Sequence, residues 1–296
     1  MVLGEGTGVL QLCRHVRFLF AVSAVALASA GLSANAQAQG KLEARYSASL
    51  AGIPLGTGVW VIDIAPDQYT AVASGRTTGL VKLIADGSGS GGSRGTMAGA
   101  SMLPSSYASS TTSDKRTDEV RMTLRAGAVK DVSAEPPLEP SPDRVPVTDA
   151  HRKGVVDPMS AVIMPVAGKG EVLAPDACKR RIAIFDGRQR ADLDLMFKRM
   201  DQVKADKGYQ GPVVVCTVRY TPVAGHRPER PAIKYLIAQR DMEIWLAPIA
   251  GTRVLVPFRF SVPTPFGQGV LQATYFVANA QPSQAARQVP TNAKTQ

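Results

Sequence analysis

The sequence predicts a mainly β protein, in which a strongly curved antiparallel sheet forms an incomplete or spiral β-barrel with one or two short helices. On the order of ten segments alternate apolar and polar residues, which is the period of a strand. Most of them leave one face polar, as in a sheet that packs on one side only. Because a sheet of so many strands rarely stays flat and open, we expect it to close on itself, and a β-sandwich is the alternative.

The amino-terminal segment has the three regions of a secretory signal peptide. Arg14 and Arg17 are its basic part, residues 18–32 are apolar, and small-residue cleavage sites follow at Ala36 and Ala38. An uncleaved membrane anchor is the alternative, but it needs about 20 apolar residues and this run is shorter. We therefore expect cleavage near Ala36 or Ala38, a periplasmic location and no membrane span in the mature chain.

The predicted domain organisation is a signal peptide over 1–38, a single β-rich domain over 39–280 and a disordered polar tail over 281–296. The formal net charge of the chain is +10. This charge favours anionic lipid head groups, acidic glycans or acidic proteins as partners, although solubility alone also explains it. The longest basic cluster, 179–181, has no aromatic-rich motif beside it, so we expect no nucleic-acid partner.

The first half of the mature chain predicts an antiparallel meander. Leu42, Ala44 and Tyr46 share one face of its first strand, and Trp60 lies on the apolar face of the second. Turn residues separate the segments, as in consecutive hairpins. The predicted strands of this half cover residues 41–50, 60–64, 69–75, 104–112, 119–124 and 129–134.

A proline-rich stretch over 135–146 connects the two halves. Proline interrupts helices and central strands, so we expect a surface connection there. Asp157 and Pro158 then have the residue types that begin a helix, and Met159 and Ile163 belong to its apolar stripe. The sequence therefore predicts a short, largely buried helix after the connection.

The second half returns to strands. Asp186 and Gly187 form a strong hairpin signal between the first two of them. The predicted strands of this half cover residues 182–185, 193–197, 214–220, 242–246, 253–262 and 270–277.

Cleavage of the signal peptide removes Cys13 and leaves only Cys178 and Cys216. In an oxidising compartment two cysteines have a single way to pair, so we expect a disulfide, which would connect neighbouring parts of the sheet. Two buried free thiols are the alternative. The spacing is unlike C-x-x-C and lacks nearby histidines, which argues against a redox pair or a zinc site.

No pattern predicts a catalytic site, a metal site or a cofactor, and we expect no enzyme. His151 and His226 lack metal-ligand spacing, and the chain has no G-x-S-x-G segment. Residues 87–92 match the G-x-G-x-x-G pattern of dinucleotide-binding proteins in letter sequence alone. The residues that follow do not have the pattern of a helix start, which such a site requires. We expect this glycine run to be a flexible or tightly packed small-residue segment.

A group of arginines is the most suggestive polar feature. Arg188, Arg190 and Arg219 lie on neighbouring predicted strands, and arginine binds phosphate and carboxylate groups bidentately. They are candidate anion contacts. The alternative is cross-strand pairing with Asp192 or Asp194.

The second half contains a series of short motifs. In order along the chain they are Cys178, 184–188 (IFDGR), 192–193 (DL), Cys216, 219–220 (RY), 225–227 (GHR), 245–248 (WLAP), 256–259 (VPFR) and 264–267 (TPFG). With these motifs the chain resembles a bacterial family of exported proteins, the domain of unknown function 3108. The resemblance implies a periplasmic location and a relationship to the curved sheets of outer-membrane lipoprotein carriers and spiral envelope-integrity proteins. The cavities of those proteins hold acyl chains or other apolar groups. The family has no established catalytic residues, so the resemblance assigns none.

Together these observations favour a soluble periplasmic binding module for a lipid or other apolar ligand. An incomplete barrel can enclose such a ligand among apolar side chains. The candidate cleft residues are Tyr46, Trp60, Met159, Ile163 and Phe197. The alternative is a structural or interaction protein that supports the cell envelope through protein or peptidoglycan contacts.

Overall fold

The computed structural model describes residues 39–78, 86–114 and 116–280. The predicted signal peptide and polar tail lie outside these residues. The described residues belong to one compact unit. No helix in this part of the chain is long and apolar enough to cross a membrane.

The fold is mainly β, as the sequence predicts, and its strands form one sheet that does not close by direct pairing of its two edges. The strands are β1 Gly40–Leu50, β2 Ile53–Ile64, β3 Gln68–Thr77, β4 Gly87–Ala98, β5 Ser101–Ser113, β6 Arg116–Arg125, β7 Ala128–Glu135, β8 Met164–Pro165, β9 Arg180–Phe185, β10 Arg190–Lys204, β11 Lys207–Gly208, β12 Gln210–Ala224, β13 Met242–Pro248, β14 Val254–Thr264 and β15 Gly267–Ala280. Their order is β7-β6-β5-β4-β3-β2-β1-β15-β14-β13-β12-β10-β9, with β8 beside β14 and β11 beside β15. The first and last long strands are therefore neighbours in the middle of the sheet.

The main core lies where the first half of the sheet faces β12–β15. Ala44 of β1 is opposite Trp60 of β2 on one side and Phe276 of β15 on the other. All three side chains are buried, and Tyr46 donates its hydroxyl to the carbonyl of Pro257 at 2.6 Å. The alternation that predicts β1 thus places one row of its residues in the core.

A second apolar cluster covers the other face of β12–β14. Consecutive residues in these strands are buried, as at 213–216 and 254–258. Strands that are buried on both faces read as continuous apolar runs rather than as alternation. The segment before β9 covers this face with Met164, Ala177 and Cys178.

The glycine run at 87–92 belongs to a strand and is closely packed, which agrees with the tightly packed alternative and not with the flexible one. β4 pairs along its length with β3 and β5. Gly91 faces inward, where a Cβ atom would lie 3.6 Å from the Cε of Met159 and 3.1 Å from the carbonyl oxygen of Ala108. The small residues let the chain that follows Asp157 pack directly on the sheet.

The helices are few and short. The predicted helix after Asp157 is a 3-10 helix over Ser160–Val162, and further 3-10 turns cover Asp149–Arg152 and Pro175–Cys178. The described residues contain one α-helix, α1 Pro231–Ala238, which lies between β12 and β13 and which the sequence patterns did not predict. Proline at its first position and Leu236 on the second apolar cluster explain its placement.

A short extended segment, 153–156, lies between the two edges of the sheet. The amide of Val155 donates to the carbonyl of Gly127 in the β6–β7 turn at 2.9 Å. Val156 then exchanges two hydrogen bonds of 2.9 Å with β9, through Ala183 and Phe185. We call this contact region the seam. It makes the fold an incomplete barrel in which irregular chain, rather than strand pairing, links β7 to β9.

Candidate functional site

A concave surface on the first half of the sheet is a groove of about 650 Å³ on the outer face of β3–β7. Its centre is a row of directly opposed residues, Val72, Gly92, Ala108 and Arg121. Because Gly92 has no side chain and Ala108 has only a methyl group, the backbone forms the floor. Val72 is 60% exposed and stands at one side of the groove. The volume falls within the range of small-molecule sites.

The rim of the groove is polar and contains two arginines. Arg94 donates from Nε to the hydroxyl of Ser106 at 3.1 Å, and Arg121 forms an ion pair with Glu119 at 3.2 Å. At the far end Thr123 donates to Asp131 at 2.9 Å. The groove therefore combines a mostly apolar floor with hydrogen-bonding groups and both signs of charge at its edge.

A buried polar network supports the sheet beneath this groove. Ser93 of β4 donates to Oδ2 of Asp157 at 2.9 Å, and the amides of Met159 and Ser160 donate to Oδ1. The hydroxyls of Tyr69 and Ser160 are 2.6 Å apart. Burial raises the pKa of Asp157, and the hydrogen bonds it accepts act in the opposite direction.

This network does not have the features of a catalytic centre. Asp157 and Ser160 are at most 1% exposed, so no substrate reaches them from solvent. The network instead fixes the chain after the proline-rich connection against β3 and β4. Asp157 acts as the predicted cap, since the first amides of the turn are among its donors.

Four of the five candidate cleft residues come together. Tyr46, Trp60 and Ile163 are buried in the main core, and Met159 packs against it. Phe197 lies apart from them on β10 and is 39% exposed. In the structure these four side chains fill the core, so a role for them in ligand binding stays a prediction.

The three candidate anion-binding arginines are separated and mostly engaged. Arg188 donates to the carbonyls of Pro136 at 2.8 Å and Glu135 at 3.1 Å, across the seam. Arg190 forms an ion pair with Asp192 at 2.8 Å, but both residues lie on β10, so this pair is within one strand and not the cross-strand pairing given as the alternative. Arg219 is exposed and lies opposite Asp194 in the register of β10 and β12. A role for these arginines in anion binding stays a prediction.

Cys178 and Cys216 form a disulfide, with their Cα atoms 5.5 Å apart. The bond joins the 3-10 turn before β9 to β12, and β10 lies between β9 and β12 in the sheet. It therefore fastens the covering segment onto the second apolar cluster rather than joining two adjacent strands.

The remaining titratable residues within the described ranges form no recognisable reaction centre. Burial lowers the pKa of His226. The backbone carbonyl of this residue accepts a hydrogen bond from the amide of Val145. Asp194 forms an ion pair with Arg181 that holds the pKa of the carboxyl below its ordinary value. Among the described residues, no group of three or more His, Cys, Asp or Glu side chains is placed to hold a metal ion.

Sequence reasoning missed the groove residues Gly92, Ala108, Arg94 and Arg121. Their arrangement depends on the pairing of β4 with its neighbours, and β4 lacks the apolar alternation that marks a strand. The small residues at 89–92 indicate close packing, but they do not indicate which face of the sheet carries the groove.

Comparison with known proteins places the chain in a family without assigning it an activity. The family model described as a protein of unknown function, DUF3108, matches residues 45–274. No curated protein matches the chain. A crystal structure of a β-barrel-like protein of the domain of unknown function DUF1849 from Brucella abortus is similar at 11% identity and a TM-score of 0.41, covering 83% of this chain and 98% of that one. On the extent of the family match, the chain belongs to the DUF3108 family.

Proposed function

We propose that the protein is a soluble periplasmic binding module without catalytic activity, and that it holds a lipid or other apolar ligand in the groove across β3–β7. The observation that carries this proposal is the floor of the groove. Across the five strands β3–β7, the floor consists of backbone, Gly92 and Ala108. Larger side chains at these positions would fill the space. An elongated apolar chain fits a groove of this kind better than a compact polar molecule does.

The rim adds a preference for an amphiphile. The ion pair of Arg121 with Glu119 is exposed, and exposed pairs contribute little stability, so this guanidinium can exchange its partner. Among the described residues, the Arg94 side chain hydrogen-bonds only a neutral hydroxyl on the same face. An acidic head group at this edge would gain charge-assisted hydrogen bonds while its apolar part covers the floor.

The test is to purify the protein from periplasm without detergent and to identify bound molecules by native mass spectrometry and lipid extraction. Gly92→Leu is the informative variant. A Cβ at Gly92 would meet its nearest atom at 3.5 Å, so the new side chain can project into the groove without a backbone clash. Ser90→Leu is the matched control, since Ser90 lies on the same face of β4 outside the groove.

We expect a co-purifying apolar molecule with the parent protein and with Ser90→Leu, and its loss with Gly92→Leu. Retention of the molecule by Gly92→Leu would exclude the groove as its site. Absence of any bound molecule from the parent would count against a ligand-binding function.

A second candidate function, contact with an envelope protein, is supported by a different surface. Two hairpin tips lie side by side, because the amide of Ala51 donates to the carbonyl of Gln268 at 2.9 Å. Ile53 on one tip is 58% exposed and Phe266 on the other is 80% exposed. Neither 46–62 nor 260–280 contains a charged residue.

Exposed, uncharged apolar tips favour a protein surface over peptidoglycan, which is polar. In-cell cross-linking from Phe266 should capture an envelope protein if this function is correct. The substitution Phe266→Ser should abolish that cross-link, whereas Gly92→Leu should leave it unchanged.

A further inference from the structure

The strands β13 and β14 bring a tryptophan and an arginine together on one face. Trp245 and Arg259 are directly opposed in the register of these strands. The guanidinium carbon of Arg259 lies 4.8 Å from the centre of the indole ring, and that of Arg199 lies 5.3 Å from it. Stacking of this kind restricts the side chain and orients its donors before any ligand arrives.

The two arginines differ in their partners. Arg199 forms ion pairs with Glu243 at 3.0 Å and with Asp201 at 3.5 Å. Arg259 has no ion pair and no side-chain hydrogen bond to any residue in the described part of the chain, and its Nε is buried without a partner. An arginine has five N–H donors, and a buried donor left unpaired is unfavourable. The arrangement thus leaves one oriented guanidinium with its bonding capacity unused.

Arg259 opens into a concave pocket of about 480 Å³, separate from the groove across β3–β7. The pocket lies on the second half of the sheet, and its polar lining includes Arg199, Lys204, Arg259, Gln272 and Thr274.

Two carboxylates also line the pocket, but they leave Arg259 unpaired. Asp201 accepts hydrogen bonds from the indole N–H of Trp245 at 3.0 Å and from the amide of Gln202 at 2.8 Å. These bonds lower the pKa of Asp201 and keep it ionised in place. Asp206 is exposed, and its amide bonds the carbonyl of Thr274. Among the charges of the lining that form no ion pair, Arg259 is partly buried, whereas Lys204 and Asp206 are exposed.

We propose that this pocket binds an oxyanion, the carboxylate or phosphate group of a small molecule, and that Arg259 is its principal contact. The planar guanidinium can donate two parallel hydrogen bonds to such a group. The contact with the Trp245 ring restricts the guanidinium, and exposed Lys204 adds a second positive charge to the lining. The site is independent of the apolar groove and of the ligand proposed for it.

The test uses Trp245 as a reporter. The chain has two tryptophans, so Trp60→Phe leaves Trp245 as the sole indole fluorophore in this background. The indole N–H of Trp60 is buried without a hydrogen-bond partner, so its loss leaves no group unsatisfied. The mature protein in this background is titrated with sodium phosphate and, separately, with sodium acetate, each against sodium chloride at matched ionic strength.

We expect a saturable change in Trp245 emission with at least one of the two probes and none with chloride. Arg259→Gln should weaken the response at least tenfold. Arg259→Lys should weaken it less, because lysine keeps the positive charge but lacks the two parallel N–H donors of the guanidinium. Arg125→Gln is the matched control, an exposed arginine outside the pocket, and should bind as the parent does. A response to phosphate alone identifies a phosphate group, and a response to acetate identifies a carboxylate.

Two results would overturn the proposal: no saturable response of the parent to either probe, or an undiminished response of Arg259→Gln. A second measurement avoids any folding defect of the variants. In the parent protein, the ¹H–¹⁵N resonance of Arg259 Nε should shift on addition of the effective probe, and a stationary resonance would exclude direct contact.

Discussion

Gly187, at the tip of the β9–β10 hairpin, lies against Val120 of β6, a strand near the opposite edge of the sheet. A Cβ atom at Gly187 would be 2.4 Å from Cγ1 of Val120, and the glycine has a φ of +97°. Both the turn and the close approach therefore require glycine. This contact lies beside the seam, because Val120 forms a small apolar cluster with Val155 and Phe185.

Gly187→Ala should consequently destabilise the fold through two separable effects. Strain at positive φ costs about 1–2 kcal/mol, and overpacking against Val120 adds roughly 1–3 kcal/mol. Gly52→Ala is the matched control, because Gly52 also has positive φ, +82°, but a Cβ there would meet nothing within 4 Å. Denaturant unfolding of both variants should show the larger loss at Gly187, and equal losses would contradict the close approach.

Arg188, next to this glycine, should contribute to stability rather than to ligand binding. Its guanidinium bonds the carbonyls of Glu135 and Pro136 and lies 3.4 Å from Asp118. Arg188→Met leaves those carbonyls unpaired, and losing hydrogen bonds to a charged group costs about 1.5–3 kcal/mol. Hydrogen exchange should accelerate for amides of 155–156 and β9, whereas Arg219→Met should not change it. Unchanged exchange at the seam would show that these contacts carry no stability.

The disulfide should be a main source of stability. It closes a loop with a sequence separation of 38, which corresponds to about 4 kcal/mol on the chain-entropy account. Without reductant, alkylation of a protein that comprises residues 39–296 should leave its mass unchanged. Paired Cys178→Ala and Cys216→Ala substitutions should lower the free energy of unfolding by roughly that amount. A loss below about 1 kcal/mol would mean that the unfolded chain gains little freedom when the bond is absent.

The sequence predicts those parts of this fold that depend on local alternation. β1, β6 and β12 follow from period-two patterns or apolar runs, and the Asp186-Gly187 turn follows from its residue types. β4 does not, because glycine and serine carry no apolar signal, although Gly91 is the residue that accommodates Met159. Local patterns also do not predict which strands pair when those strands are far apart in the sequence.

The candidate sites depend on that long-range pairing. The groove appears only when Gly92 is set between Val72 and Ala108, and the oxyanion pocket only when Arg259 is set opposite Trp245. Arg188 illustrates the converse: its residue type suggested an anion site, but the curvature of the sheet brings it to backbone carbonyls at the other edge. The sequence shows which chemical groups a residue carries, but it does not show which distant residue those groups will contact.

The buried carboxyl of Asp157 should make stability depend on pH in the direction opposite to that of a salt-bridged aspartate. Its pKa in the folded protein is raised above the ordinary value, chiefly by burial. Between the unfolded and folded pKa values, the folded state therefore binds more protons, and the free energy of unfolding falls as pH rises through that interval. Each unit of difference corresponds to about 1.4 kcal/mol.

Asp157→Asn removes this charge while preserving most of the network. The amide oxygen can accept from the Met159 and Ser160 amides, and the amide nitrogen can donate to the hydroxyls of Ser93 and Ser160. Relative to the parent, the variant should gain stability as pH is raised from about 4 to 7 in denaturant titrations. Asp131→Asn, an exposed carboxylate on β7, is the control and should run parallel to the parent. A stability difference for Asp157→Asn that stays constant or reverses across this range would show that the carboxyl is ionised without penalty in the folded state.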